Sequence, residues 1–185
     1  MNLRSALRVN KPESIAFVGA GGKTTSIFRL AYELPHPVIV TTTTHLGAWQ
    51  VRHGDRWLVG LSELEKLTDF DAGVTVLTGQ PISDDRLGQL SSEELEYLHR
   101  MAIERGWSLL IEADGARQLP FKAPAEHEPV IPAWVDKVVV VAGLSGLNSP
   151  CNNAYIHRPE IFSTLAQLKP GERVGEEHLS RMLLH

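Results

Sequence analysis

Six short apolar runs punctuate the 185-residue chain: IAFV at 15–18, VIV at 38–40, WLVG at 57–60, VTVL at 74–77, SLLIEA at 108–113 and VVVV at 138–141. They are rich in β-branched residues and bounded by Gly, Pro or Asp. Runs of this length without polar alternation read as strands covered on both faces. Amphipathic segments lie between them. Ile27, Leu30, Ala31 and Leu34 share one helical face after Lys23, and Pro35 and Pro37 end that helix. Ser91 and Glu94 have capping-box spacing ahead of a stripe of Leu95, Leu98, Met101 and Ala102, which Gly106 closes. Pro159 suits the first turn of a helix carrying Phe162, Leu165 and Leu168. Alternating strand and helix predict one α/β domain over 1–185, a mostly parallel sheet flanked by helices. The last residues, GERVGEEHLSRMLLH, read as the first turns of a helix that buries Leu179, Leu183 and Leu184. That helix stops where a further element is expected, so the chain reads as C-terminally truncated.

The first run enters Gly19-Ala20-Gly21-Gly22-Lys23-Thr24-Thr25. A dinucleotide fingerprint would place its third glycine where Thr24 stands, and an acidic residue roughly 20 positions on to hold a ribose. The second strand ends instead in Thr41-Thr42-Thr43-Thr44. A phosphate-binding loop fits better. Glycines let backbone N–H groups turn toward a phosphate, and a helix N-terminus adds partial positive charge. Lys23 supplies a full charge and Thr24 a hydroxyl for Mg²⁺. The spacing is not that of G-x-x-x-x-G-K-[ST], which would need glycine where Phe17 stands. The shorter loop resembles that of Mur-type ligases. The expected fold is therefore P-loop NTPase-like, with residues 19–25 binding ATP or GTP.

Two more stretches are expected at the same edge, because ligands of parallel sheets bind beyond the carboxyl ends of the strands. Thr42 and Thr43 offer hydroxyls to phosphate oxygens or to a metal-bound water. Glu112 and Asp114 end an apolar strand, as in a Walker-B-like segment, and alternation puts both on one side. A carboxylate there holds Mg²⁺ or orients an attacking water. Lys23, Glu112 and Asp114 are the expected catalytic residues, and Thr24, Glu112 and Asp114 the expected metal ligands. Lys122 and Arg117 follow on a Pro-containing loop, either for a second anionic substrate or as solvated charges. His157 and Arg158 either reach the site or cap a helix.

A net charge of −4 supplies no electrostatic footprint for nucleic acid or an anionic membrane. No run approaches the ~18 apolar residues of a spanning helix, and the N-terminus lacks the apolar core of a secretory signal. A cytoplasmic protein is expected. Cys151 is the single cysteine, and His45, His127 and His157 form no recognised metal spacing. The four Trp residues lack interleaved basic residues and read as packing groups.

GAGGKTT, TTTTH and EADGARQLPFKAPAEHEPVIP, taken in order, resemble the YqeC family. Its members are described as accessory proteins of selenium-dependent molybdenum hydroxylases or as selenium cofactor biosynthesis proteins. The resemblance runs through roughly 5–185, HRPEIF at 157–162 included, and is most specific at Glu112, Asp114, Gly115, Lys122, Pro124, Glu128 and Pro129. It implies a P-loop-type fold, and it points to Lys23, Thr24, Thr25, Glu112 and Asp114. It also implies a part in maturing molybdenum hydroxylases, with such an enzyme or its maturation proteins as partners. A further strand and helix past the last residue are implied as well. Three activities remain open at this stage: Mg²⁺-dependent nucleotide hydrolysis or phosphoryl transfer, a nucleotide-gated scaffold with little turnover, and an ATP-dependent ligase or small-molecule kinase.

Overall fold

A computed structural model describes residues 2–35, 37–67 and 72–184. Its centre is a sheet of six strands: β1 (Ser14–Gly19), β2 (Val38–Thr42), β3 (Arg56–Val59), β4 (Val74–Thr78), β5 (Ser108–Glu112) and β6 (Lys137–Val141). The spatial order is β6-β1-β5-β2-β4-β3, and every pairing is parallel. Each expected strand is present, and its ends lie within two residues of the apolar run that announced it. Helices α1 (Lys23–Glu33), α2 (Ser92–Arg105), α3 (Pro159–Ala166) and α4 (Glu176–Leu183) are the long ones. The chain is thus α/β with a parallel central sheet flanked by helices. Among the described residues no helix is long and apolar enough to cross a membrane.

Alternation along the strands builds a core on each face. Ile15, Phe17, Val38 and Val40 pack with Ile27, Phe28, Leu30 and Ala31 of α1. Ala16, Ile39, Leu109 and Ile111 pack with Leu95, Leu98, Met101 and Ala102 of α2. Burying a leucine such as Leu30 or Leu98 contributes roughly 2 kcal/mol. The α2 capping box forms as its spacing predicts: Ser91 Oγ accepts from Glu94 N, Glu94 Oε2 accepts from Ser91 N, and Gly106 closes the helix in a left-handed conformation. A third cluster of Phe121, Ala123, Ile156, Phe162, Ala166 and Val174 joins α3 and α4 to the rest.

Four expectations need correction. α3 ends at Ala166, and Leu168 lies beyond the helix expected to carry it. β6 is not covered on both faces. It ends the sheet, and Val138 and Val140 are 45% and 55% exposed. β3 ends the other side and leaves Trp57 half exposed. On α4, Leu183 and Leu184 are solvent-exposed, while Leu179 and Met182 make the inward contacts.

Register positions the site. Phe17 pairs with Glu112 across β1 and β5, and Thr42 pairs with Glu112 across β2 and β5. The turn after β1 and the residues just beyond β5 therefore emerge side by side at the carboxyl edge. Phe121–Lys122 pairs with Ile156–His157 beside that edge. His45–Gly47, just past the end of β2, joins the hairpin strands Arg86–Gly88 and Pro81–Ser83.

Candidate functional site

The loop between β1 and α1 is built by close packing. Gly19 has φ +95°, and a Cβ there would lie 2.2 Å from the Val141 carbonyl oxygen. Gly21 has φ +69°, and its Cβ would meet Gly143 Cα at 2.4 Å and the Pro120 oxygen at 2.6 Å. No other residue fits either position. These two glycines seat the loop against the end of β6 and the 120 and 143 backbone. Gly22 differs: its Cβ position is nearly open, with Val141 Cγ1 at 3.9 Å.

Lys23 opens α1 yet is only 4% exposed. Its ammonium donates to the Gly19 carbonyl at 2.7 Å and lies 2.8 Å from Asp114 Oδ1 and 4.0 Å from Glu112 Oε1. Asp114 Oδ2 accepts from the Gly19 N–H and from Lys122 Nζ, both at 2.9 Å. Lys122 Nζ reaches Glu128 Oε2 at 2.7 Å. Glu128 in turn accepts from both terminal nitrogens of Arg158, at 2.8 and 3.1 Å. Cations and carboxylates alternate along this chain of contacts, which is how buried charge is tolerated. Lys122 is therefore a buried, doubly paired ammonium rather than a solvated one, and Arg158 reaches the site through Glu128. Arg117 is exposed.

The carboxylates differ in how well they are compensated. Burial pushes the Glu112 carboxyl up, and the more distant Lys23 and the Gln50 amide only partly offset it. Burial acts the same way on Glu128, but the Arg158 hydrogen bonds and then Lys122 overcome it and bring that carboxyl down to about 2. Asp114 Oδ1 is buried and touches Lys23 as an ion pair without an aligned hydrogen bond.

The expected residues do converge. Thr24 sits beside Glu112 through a shared partner, and Thr25 is exposed on the first turn of α1. Thr42 and Thr43 lie at the same edge, but their hydroxyls are committed. Thr42 Oγ1 donates to the Glu112 carbonyl at 2.8 Å and Thr43 Oγ1 to the Val130 carbonyl at 2.7 Å. These bonds bind the strand ends together. Sequence reasoning missed Gln50, whose side-chain nitrogen contacts Thr24 Oγ1 at 2.7 Å and Glu112 Oε2 at 3.0 Å. It stands in no motif; the one available signal was its place shortly after the Thr-rich strand end. A cavity of about 130 Å³ adjoins the loop, walled by Val18, Ala20, Phe121 and Phe162, with Asp114 and Lys122 at its polar side. Among the described residues, no group of three or more His, Cys, Asp or Glu side chains could hold a metal unaided.

The family model described as "YqeC protein" matches residues 15–160, a span that includes the glycine loop, Glu112, Asp114, Lys122, Glu128 and Arg158. The chain is 30% identical to "Uncharacterized protein YqeC" of Escherichia coli (strain K12), over 95% of this chain and 69% of that protein. No solved structure matches. A family match over most of the chain, and a relative aligned along nearly all of it, place this protein in the YqeC family.

Proposed function

We propose that this chain is a Mg²⁺-dependent nucleotide-binding protein that takes ATP or GTP and hydrolyses or transfers the terminal phosphoryl group. The observation that carries the reading is Lys23. A buried ammonium at the start of a helix, behind a glycine turn and beside two carboxylates, has the makings of a triphosphate clamp. Asp114 pairs with that ammonium at 2.8 Å. An incoming phosphate competes for it, so Lys23 moves from a carboxylate to the charge that develops in the transition state. The residues also fit a cation. Asp114 Oδ1 is buried without a hydrogen bond, and Thr24 Oγ1 and Glu112 Oε2 lie within reach of one common atom. Thr24, Glu112 and Asp114 are hard oxygen donors, too few to hold Mg²⁺ alone and suited to sharing it with phosphates. Bound there, the cation would neutralise phosphate charge and polarise the phosphorus–oxygen bond.

The cavity beside Asp114 and Lys122 favours transfer to a small acceptor over transfer to water, because its walls are largely apolar and it opens beside the loop. The cellular part of the proposal, service to molybdenum hydroxylase maturation with such an enzyme as client, rests on the resemblance of the sequence motifs alone. A client that raises a negligible basal turnover would mark the chain as a nucleotide-gated scaffold instead.

Calorimetric titration with ATP and GTP, with and without Mg²⁺, tests the reading. Metal-dependent binding is expected in the intact chain, lost in Lys23→Ala. Removing a buried cation also destabilises, so folding of the variant is checked by circular dichroism, and Thr24→Ala serves as a milder second variant that loses the metal dependence. Unchanged affinity in a folded Lys23→Ala protein would sink the proposal.

A further inference from the structure

We propose that Gln50 is a placeholder that competes with a cation: its carboxamide nitrogen sits between Thr24 and Glu112, where a cation would bind, and gives way when the Mg²⁺–nucleotide complex binds. The inference rests on the nucleotide reading above and extends it to a residue outside every motif of the sequence.

Gln50 sits in a two-turn 3₁₀ segment, Ala48–His53, and is buried. A glutamine amide has two N–H donors on nitrogen and an acceptor oxygen. Both sides are used. Nε2 faces Thr24 Oγ1 at 2.7 Å and Glu112 Oε2 at 3.0 Å, while Oε1 accepts from the Gly47 N–H at 2.6 Å. The Gly47 bond fixes which way round the amide lies. The nitrogen therefore joins one hydroxyl from the glycine-loop helix to one carboxylate from the end of β5. Those are two of the oxygens suited to a divalent cation.

Nitrogen and metal cannot share them. A hydrogen-bonding nitrogen rests about 2.9 Å from oxygen, whereas Mg²⁺ needs oxygens at about 2.1 Å in a near-octahedral shell. A cation drawn to Thr24 and Glu112 displaces the amide. A neutral amide is also an incomplete substitute, because it brings no full positive charge to the Glu112 carboxylate. The segment around Gln50 is otherwise well anchored. Ala48 N donates to the Asp85 carbonyl at 2.9 Å, Tyr32 of α1 donates to the His53 carbonyl at 2.9 Å, and the Phe28 and His53 rings lie 5.2 Å apart. The exchange is thus a swing of the Gln50 side chain, which also frees the Gly47 N–H.

The test follows the amide directly. In ¹⁵N-labelled protein the Gln50 side-chain resonances are assigned by their loss in Gln50→Ala. They are expected to move when Mg²⁺ and a non-hydrolysable ATP or GTP analogue are both added, and to stay put with the analogue in EDTA. Gln50→Ala removes the competitor, so at saturating analogue its Mg²⁺ affinity should rise about tenfold, the equivalent of one to two net hydrogen bonds. A purely structural glutamine would leave that affinity unchanged or lower it. If the intact chain binds the Mg²⁺–analogue complex while the amide resonances stay fixed, or if Gln50→Ala binds Mg²⁺ no more tightly, the inference is overturned and the nucleotide reading survives. If the intact chain binds no Mg²⁺–nucleotide complex, both fall together.

Discussion

Replacing Glu128 by Gln tests whether the buried charge chain works as described. Glu128 accepts from Lys122 and from both terminal nitrogens of Arg158, and those contacts bring its carboxyl from 4.5 down to about 2. A depression of that size is linked to at most ~3 kcal/mol of folding free energy. Arg158 is 24% exposed, so solvent screens part of it, and about 1–2 kcal/mol is the realistic loss in Glu128→Gln. The sign is fixed by the direction of the shift. A carboxyl whose folded pKa is depressed contributes in full above its unfolded pKa and loses that contribution as pH falls toward the folded value. The gap between wild type and Glu128→Gln should therefore be full at pH 7, already narrowing near pH 4, and largely gone toward about pH 2. Urea unfolding at pH 7, 5 and 3.5, read by far-UV circular dichroism, measures it. A gap that is absent at pH 7, or equally large at pH 3.5, would refute the argument that these ion pairs stabilise the edge of the sheet.

Glu112→Gln should behave in the opposite sense. Burial raises the Glu112 carboxyl, so its contribution is present at low pH and is lost as pH rises through the folded pKa. The nucleotide-free variant should melt higher than wild type at pH 8, with the difference vanishing below about pH 4.5; a lower melting temperature at pH 8 would count against it. Gly21→Ala combines a left-handed φ with a Cβ 2.4 Å from Gly143 Cα, so it should cost at least ~2 kcal/mol in chemical denaturation and abolish nucleotide binding. The calorimetric loss in Lys23→Ala and the gain in Mg²⁺ affinity of Gln50→Ala complete the set.

The strands were legible because each is a short, β-branched, unalternating run, a pattern that a parallel sheet imposes. Strand order was not, and that is why Val138 and Val140 were expected to be covered: periodicity says which faces are apolar, not which strand ends the sheet. The α2 boundaries were legible because Ser91, Glu94 and Gly106 each have a single good structural use there. The strands at 45–47, 81–83 and 86–88 are too short to carry a period. The glycine loop, Glu112 and Asp114 could be placed together from motif and topology, since both follow parallel strands. Lys122 could not be resolved between solvent and site, because its burial depends on Glu128 and Arg158 arriving from other segments. Gln50 was invisible for a similar reason. A single polar residue in an irregular turn has no pattern, and its role exists only once the turn lies against α1.

The place of β1 between β6 and β5 has a kinetic consequence. β1 is an early strand, yet both of its neighbours in the sheet come from far downstream. Gly19 N–H is bound by Asp114 across 95 residues of sequence, and Ser14 N–H by Asp136 across 122. Contacts this distant close large loops and make for slow folding. On a ribosome the first strand and its glycine turn emerge well before the strands that flank them, and they must wait without partners. Lys23 waits too, its carboxylates not yet made. Nucleotide binding would then appear only after β6 has docked, which makes it a late reporter: a ligand added during refolding should be taken up with the slowest phase, after helical signal has already returned.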